Sequence, residues 1–474
     1  MQQSKHMPIA LAALAYAVFL FSPSVLNDGD TWLHIAVGRW ILEHGTVPVT
    51  DAFSYTFAGA PWRAQEWLSE LLMALAWRLD GVDGVLILYG AAVALTVWLL
   101  ARHLQTWFPP LLAVIVTIYA SLCGAGSALA RPHLLAVPAL ELWVAGLALA
   151  RTRERPPSPW LLPVMTLWAN LHGSFVFGLL LVVPFGLEAV FATKTPDWHA
   201  ARSWALFLAA GIAASMLTPY GWHSLVMPFH LMRLQHLTAI SEWQSPDFNM
   251  IQPAEIALFA LLLACLLHGR RISLFRLLIL LGMLHMSLQH VRHFLVAGIV
   301  LPLALAEPLS RGGVRGDAFG APVAIHGAVG RNRLPGLAGL GLLALVTVLR
   351  LGTAAVPHDG PMSPLSALQH VPAALRTKPV LNDCMFGSFM IYEGFRPFVD
   401  GRAELYRDKF IELIIDIDRP DSAVLQRTLA SRDIAWTILS PSNPASAVMD
   451  MVPGWKRLYA DEYAIIYVRG TPTS

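Results

Sequence analysis

Long apolar runs, separated by short polar segments, fill the first three quarters of this chain. A helix needs ~20 mostly apolar residues to cross the hydrocarbon core of a membrane. The run over 159–192 is long enough for two helices, broken at 170–173. The pattern therefore predicts about eleven membrane-spanning helices by this length rule. The runs cover 8–26, 70–100, 108–129, 133–150, 159–192, 203–217, 253–268, 273–289, 294–309 and 335–355.

The hydrophobic pattern changes after residue 355, where short apolar segments replace long ones. Strand-like segments lie at 379–381, 397–399, 436–439 and 463–468, and helical patterns lie near 409–417, 422–431 and 445–451. Alternating strands and helices indicate a small α/β domain. The chain is therefore expected to divide into a membrane domain over 1–355 and a C-terminal α/β domain over 356–474.

The charged residues between the apolar runs predict the orientation. Cytoplasmic loops of membrane proteins carry an excess of Lys and Arg. With a cytoplasmic N-terminus, alternate gaps hold the basic clusters, and an odd number of crossings places the C-terminal domain outside. The inside gaps hold Arg102, Arg151, Arg153, Arg155, Lys194, Arg202, Arg270, Arg271, Arg311, Arg315, Arg331 and Arg333. The outside gaps hold Asp28, Asp30, Arg131, His172, the loop over 218–250, Arg292 and His293.

The composition agrees with a polytopic membrane protein and excludes several other classes. The chain is 56% hydrophobic and 14% charged, whereas a soluble domain is usually about 25% charged. A net charge of +2 gives no basis for nucleic-acid binding. The three cysteines show no CxxC or Cys/His spacing, so neither a disulfide framework nor a zinc site is indicated. The first apolar run is expected to be a retained anchor.

The first outer loop, over 27–66, has helical patterns of its own. Asp30 is expected to cap a helix over 31–43 that stops at Gly45. Its apolar positions form one stripe, which predicts a helix lying on the membrane surface; they are Leu33, Val37, Trp40 and Ile41. A second helix is expected over 62–79, with Arg63, Glu66 and Glu70 on one face.

Asp28 and Asp30 are the candidate catalytic residues. A carboxylate at the outer end of the first span can act as a general base for an acceptor hydroxyl. Two carboxylates could also share a divalent cation such as Mg²⁺ or Mn²⁺. The alternative is an Asp-Gly turn followed by a helix cap. Asp30 is the better candidate for the base, because His34, one turn on, can orient or tune it.

Cationic and imidazole side chains lie in the other outer gaps. Arg and His side chains on one side of a membrane can bind a phosphate at the headgroup level. The alternative for each of them is an interfacial anchor whose head reaches water. The candidate substrate-binding residues are His34, Glu66, Arg131, His133, His172, Arg292 and His293. In the tail, the acidic turns at 382–383 and 400–404 are expected to end strands, with a binding role as the alternative.

Several motifs together resemble bacterial GT-C-type membrane glycosyltransferases, particularly their many uncharacterised members. In the first outer loop they are 28–34 (DGDTWLH), 45–56 and 62–70. Further along they are 130–133 (ARPH), 168–173 (WANLHG), 218–221 (TPYG), Glu242-Trp243, Arg292-His293 and 398–406 (FVDGRAELY). The likeness covers nearly the whole chain.

The resemblance implies an integral enzyme of the bacterial inner membrane with a periplasmic active site. Such enzymes transfer a sugar from a polyprenyl-phosphate carrier to a lipid, glycan or protein hydroxyl. A carboxylate of the first outer loop usually serves as the base, which corresponds to Asp28 or Asp30 here. Cationic residues usually bind the carrier phosphate, which corresponds to Arg131, His172, Arg292 and His293. Some members use a divalent metal and others do not.

Three alternatives remain at the level of the sequence. The same charges could bind a lipid-linked glycan in transit through a flippase, although the chain lacks the internal repeats common in transporters. A polymerase or ligase of lipid-linked oligosaccharides would share the phosphate site but use a pyrophosphate-linked donor. A structural subunit whose tail binds a cell-wall partner would tolerate neutral residues at Asp28 and Asp30.

Overall fold

The computed structural model describes residues 6–233, 241–249, 251–268, 272–310, 334–353, 356–419 and 422–470. The predicted inside residues Arg270, Arg271, Arg311, Arg315, Arg331 and Arg333 lie outside these ranges. Helices dominate the first 353 residues. They are α1 Met7–Leu20, α2 Gly29–His44, α3 Trp67–Leu104, α4 Pro110–Cys123, α5 Pro132–Thr152, α6 Leu161–Leu171, α7 Phe175–Val190, α8 Trp198–Ser215, α9 His223–Leu231, α10 Pro253–His268, α11 Leu274–Gln289, α12 His293–Ser310 and α13 Leu334–Leu351.

Each predicted apolar run overlaps an observed helix, and the run over 159–192 overlaps two. The break between α6 and α7 falls at His172, whose backbone is extended with φ −164° and ψ 145°. Among the residues that the structure describes, three helices are long and apolar enough to cross a membrane, namely α3, α5 and α12, and most of the other helices there are shorter apolar ones. The helical architecture is as predicted, while the number of crossings stays a prediction.

Both helices predicted for the first outer loop begin at residues other than those predicted. Helix α2 begins at Gly29, and Asp28 is its N-cap, accepting a hydrogen bond from the Asp30 amide (3.4 Å). The prediction that Asp30 caps this helix is therefore wrong, because the helix starts two residues earlier. Its predicted stop is confirmed: Gly45 is left-handed, with φ 65°.

The second predicted helix of this loop, by contrast, begins later than expected. Helix α3 begins only at Trp67, because Trp62 instead donates its amide to the Val49 carbonyl (3.1 Å), next to an isolated antiparallel bridge between Thr50 and Pro61. Arg63 therefore does not share a helical face with Glu66 and Glu70. The helix is interrupted at Asp80 and Gly81, where Gly81 has φ 53°.

The C-terminal segment folds into a four-stranded sheet with helices packed on it. The strand order is β1-β2-β4-β3; β1 is parallel to β2, and the other pairs are antiparallel. The strands are β1 Val380–Asn382, β2 Trp436–Leu439, β3 Trp455–Ala460 and β4 Ile465–Arg469. The helices are α14 Leu365–Gln369, α15 Cys384–Tyr392, α16 Ala403–Asp418, α17 Ser422–Ser431 and α18 Pro444–Met449.

An α/β fold is thus present as predicted, but one predicted strand is not. Residues 397–399 run beside the sheet without joining it, because the side chain of Asn382 takes the place of a strand partner. Its Oδ1 accepts from the Phe398 amide (2.7 Å) and its Nδ2 donates to the Val399 carbonyl (2.8 Å). The pattern also failed to predict β3, whose residues are mostly exposed, and α15.

The C-terminal segment packs directly on the first outer loop. Tyr55 donates its hydroxyl to the Val380 carbonyl (2.9 Å), and Thr56 donates to the Phe398 carbonyl (2.8 Å). The ring of Trp32 in α2 lies against those of Phe389 and Tyr392 in α15. The apolar stripe of α2 is buried in the same cluster as Phe398 and Val399. The prediction that this stripe faces the membrane surface is therefore wrong.

Charged residues gather at both ends of the helix bundle. At one end, Arg276 of α11 pairs with Glu188 of α7 (3.0 Å) and Glu307 of α12 (3.0 Å), while Arg151 of α5 also approaches Glu188 (3.4 Å). These residues come from helix ends next to the predicted inside gaps. Residues of the predicted outside gaps converge at the opposite end, where the C-terminal segment docks.

Candidate active site

Three carboxylates surround Arg131 at the end of the bundle that carries the C-terminal segment. Its Nη2 lies 2.6 Å from Asp28 Oδ1 and 2.9 Å from Asp30 Oδ2. Its Nε also donates to Asp28, and its Nη1 donates to Glu242. Arg131 precedes Pro132, the first residue of α5, and the proline holds its backbone extended (φ −119°, ψ 152°). We call Asp28, Asp30, Arg131 and Glu242 the carboxylate centre.

The two aspartates of this centre lie in different environments. Asp28 is buried, and both of its oxygens contact Arg131. Burial alone would raise the pKa of Asp28, but the charge and hydrogen bonds of Arg131 outweigh it and lower the pKa. Burial, together with the negative charges of Asp28 and Glu242, raises the pKa of Asp30 to about 6. The positive charge of Arg131 offsets only part of this rise. The Asp30 side chain remains 30% exposed. Asp30 is therefore the aspartate that can exchange a proton near neutral pH.

A second ionisable group lies beside the carboxylate centre and contains His34, Glu66, Glu70 and His172. His34 Nδ1 is 3.0 Å from Glu70 Oε1, and its Nε2 is 3.6 Å from Glu66 Oε2. The other oxygen of Glu66 is 3.1 Å from His172 Nε2. We call these four residues the histidine group.

The proton positions in the histidine group follow from its contacts. Burial alone would lower the pKa of His34, but the hydrogen bond to Glu70 and the charges of Glu66 and Glu70 raise it to about 9. Burial holds the pKa of His172 well below its usual range, so this imidazole is neutral. Its Nδ1 accepts from the Ser174 amide (3.1 Å), so its proton is on Nε2, directed at Glu66. Burial raises the pKa of Glu66 to about 7.

The remaining predicted residues belong to neither group, and each makes contacts of its own. The guanidinium of Arg292 stacks over the Trp243 ring at 4.5 Å, and its amide donates to the Glu242 carbonyl (3.4 Å). His133 contacts the Ser127 carbonyl through Nε2 (2.9 Å), with its ring 6.2 Å from that of His172. His293 contacts the Met286 carbonyl through Nδ1 (2.9 Å), so its imidazole is engaged at the junction of α11 and α12.

Sequence reasoning did not include Glu242, Ser388 and Gly401 among the candidate site residues. Glu242 had a signal, because the Glu242-Trp243 pair is one of the motifs that carry the family resemblance. Ser388 and Gly401 come from the C-terminal segment, and Ser388 Oγ lies 3.5 Å from Asp30 Oδ1. Gly401 also lies in a resemblance motif, 398–406, but nothing in the sequence pattern shows that this segment docks on α2.

The residues as arranged do not fit a divalent cation between Asp28 and Asp30. The guanidinium of Arg131 occupies the position between their carboxylates and carries the neutralising charge. Within the part of the chain that the structure describes, no group of three or more His, Cys, Asp and Glu side chains could hold a metal ion. A metal at these aspartates would require Arg131 to move away first.

No protein-family profile and no curated protein sequence matches this chain. Solved structures do match. The archaeal oligosaccharyltransferase AglB from Archaeoglobus fulgidus, in complex with an inhibitory peptide and a dolichol-phosphate, gives a TM-score of 0.57 at 10% identity over 98% of this chain and 74% of that one. ArnT from Cupriavidus metallidurans, bound to undecaprenyl phosphate, gives 0.52 at 12% identity over 98% of both chains. AglB with zinc and sulfate gives 0.51 at 10% identity over 98% of this chain and 73% of that one. The chain therefore has the fold of the GT-C-type membrane glycosyltransferases that its motifs resemble.

Proposed function

We propose that this protein is an integral membrane glycosyltransferase that uses a polyprenyl-phosphate sugar. The acceptor is a hydroxyl of a lipid, glycan or protein on the outer side of a bacterial inner membrane, with the N-terminus in the cytoplasm and the C-terminal domain in the periplasm. The observation that carries the proposal is the carboxylate centre, in which Asp30 is partly exposed and has a pKa of about 6. A general base works best when its pKa lies near the working pH.

Asp30 acts as the base in this scheme. Its carboxylate accepts the proton of the acceptor hydroxyl while the hydroxyl oxygen forms a bond to the anomeric carbon of the donor sugar. The bond from that carbon to the phosphate oxygen breaks, and its electron pair leaves with the polyprenyl phosphate. Asp28, with both oxygens on Arg131, orients the guanidinium that in turn holds Asp30 Oδ2.

Arg292 is the cation best placed for the carrier phosphate. Arg131 already donates to three carboxylates, whereas the contacts of the Arg292 guanidinium include the face of Trp243. A phosphate can bind the edge of a guanidinium that stacks on a ring through its face. The single ring N–H of His172 is directed at Glu66, that of His133 at the Ser127 carbonyl and that of His293 at the Met286 carbonyl, so the phosphate depends on Arg292 for its main donor. The AglB and ArnT structures contain dolichol-phosphate and undecaprenyl phosphate, respectively, which supports a lipid phosphate as the donor.

The test is sugar transfer by the purified full-length protein in detergent. The donors are polyprenyl-monophosphate and polyprenyl-pyrophosphate sugars, and the acceptor is an extract of envelope lipids and glycans. Transfer should accompany the release of polyprenyl phosphate, be lost in Asp30→Asn, and persist in Asp433→Asn, a control at an aspartate that is 92% exposed. Turnover should also survive EDTA, since Arg131 supplies the positive charge at Asp28 and Asp30; loss restored by Mg²⁺ or Mn²⁺ would assign a metal to the site.

The other outcomes distinguish the alternative functions. Transfer from pyrophosphate-linked donors alone would indicate an oligosaccharide polymerase or ligase. Donor binding without turnover, together with translocation of the lipid-linked sugar in proteoliposomes, would indicate a flippase. Equal turnover in the wild type and in Asp30→Asn would remove Asp30 from the mechanism.

A further inference from the structure

The C-terminal segment reaches the carboxylate of Asp30 at two points. Ser388 of α15 donates its hydroxyl to Asp30 Oδ1 (3.5 Å), and Ser388 in turn accepts from the Gly401 amide (3.4 Å). Gly401 lies against the same oxygen, because a Cβ built on it would overlap Asp30 Oδ1 and lie 3.2 Å from Asp30 Cγ. Asp30 is thus enclosed between Arg131 on the bundle side and Ser388 and Gly401 on the other.

The backbone at Gly401 belongs to a turn over 398–404, which we call the tail turn. Ion pairs fix this turn to the first outer loop. The guanidinium of Arg402 is buried and contacts Asp51 Oδ1 (2.7 Å) and both oxygens of Asp400 (2.8 and 2.7 Å). Asp400 also accepts from the Tyr406 hydroxyl (2.6 Å). A buried guanidinium with this many partners holds the backbone beside it in one position.

Two further contacts hold the tail turn from its other sides. Glu404 accepts from Trp62 Nε1 (2.9 Å), and the Arg402 guanidinium lies over the Trp62 ring at 4.7 Å. Helix α15 approaches the turn closely at Gly387, where a Cβ would lie 2.7 Å from Asp400 Cα and would overlap the Val399 carbonyl. The turn is therefore much more firmly fixed than ending a strand requires, and it presents Gly401 to Asp30.

We propose that the tail turn and Ser388 form a positioning element that holds the carboxylate of Asp30 in its working orientation. The C-terminal segment would then complete the active centre that the membrane helices begin. This inference rests on the proposed function for the meaning of Asp30, but the contact itself can be tested without turnover. Ser388 and Gly401 are positioning residues here, since they act through Asp30.

The first test measures the contact by thermal unfolding of the full-length protein in detergent. Gly401→Ala should lower Tm by about 3 °C, because an added methyl group in a packed site is destabilising. The same substitution in an Asp30→Ala background should leave Tm nearly unchanged, since the overlapping oxygen is gone. Gly126→Ala is the matched control, because a Cβ there meets nothing within 4 Å. An equal loss of Tm in both backgrounds would overturn the contact, whether or not the protein is a transferase.

The second test measures positioning by the pH profile of kcat/KM for sugar transfer. The Ser388 hydroxyl stabilises the charged form of Asp30, so Ser388→Ala should move the acidic limb to higher pH by several tenths of a unit. Ser431→Ala, at an exposed serine of α17, should leave the profile in place. A purely structural role would lower the rate at every pH without moving the limb. A Ser388→Ala profile that coincides with that of the wild type would overturn the proposal.

Discussion

Asp28 and Asp30 show how two residues of one type, two positions apart, acquire different chemistry. Asp28 caps α2 and gives both oxygens to Arg131, so its charge is used to hold the guanidinium. Asp30 lies in the first helical turn, shares Arg131 with two other carboxylates, and keeps part of its surface exposed. The sequence predicts two candidates and favours Asp30 through His34. The structure adds a reason of its own, because burial, together with this crowding of negative charge, raises the pKa of Asp30, whereas the pKa of Asp28 is lowered.

This crowding predicts the pH dependence of sugar transfer. The base must be ionised to accept a proton, so turnover should rise with pH through about 6, the pKa of Asp30, and then level off. Above about 9, the pKa of His34, the loss of the imidazolium charge should lower turnover again. Initial rates between pH 5 and 10 give the profile, and Asp30→Asn should lower the plateau by about 10²-fold or more.

Two results decide whether this account is correct. His34→Gln should abolish the bend near 9 and move the acidic limb to higher pH, since the imidazolium charge that lowers the pKa of Asp30 is lost. A rate that stays constant between pH 5 and 8 in the wild type would contradict the assignment of Asp30 as the base.

At the scale of secondary structure, the helices were predictable, but the packing of the C-terminal segment on α2 was not. Runs of apolar residues locate most helices of the bundle, because length and periodicity depend on local sequence. The apolar stripe of α2 has the same pattern whether it meets lipid or protein, and here it packs against residues 398–399. Residues 397–399 read as a strand because they are apolar, while the bonds that hold them come from the side chain of Asn382. Such long-range partners leave no periodic signal.

The tail turn gives a stability prediction at this scale. Removing one partner of a buried ion pair leaves the other charge buried, which costs about 3–5 kcal/mol. Arg402→Ala should therefore lower the unfolding temperature of the full-length protein strongly, since Asp51 and Asp400 would lose their shared cation. Arg402→Lys should recover only part of this loss, because an ammonium cannot reproduce the forked contacts.

The matched control is Arg469→Ala, which removes an arginine of the same segment that is 52% exposed and pairs with Asp433. Exposed ion pairs contribute little to stability, so its unfolding temperature should remain close to that of the wild type. Similar temperatures for Arg402→Ala and Arg469→Ala would show that the tail turn does not anchor the C-terminal segment.

At the scale of the whole molecule, the positive-inside pattern predicted which residues would share an end of the bundle. Asp28, Arg131, His172 and Arg292 come from separate gaps, and the structure brings them to one end. Arg151, from a predicted inside gap, lies at the other end beside Glu188. The sequence could assign each gap between apolar runs to one end of the bundle, because charge bias acts on each loop independently. It could not give the pairings within each end, since these depend on how the helices pack.

The arrangement of these ends gives a prediction for the orientation in the cell. The C-terminal segment contacts Asp30, so it must lie on the same side of the membrane as the carboxylate centre, and the positive-inside pattern assigns that side to the periplasm. A cysteine introduced at exposed Ser431 should react with a membrane-impermeant maleimide in bacteria whose outer membrane has been permeabilised. A cysteine at exposed Arg153, in a predicted inside gap, should react only after the inner membrane is also broken. The parent chain, with its native cysteines, gives the background. The reverse labelling pattern would place the active centre in the cytoplasm, where the proposed outer acceptor could not reach Asp30.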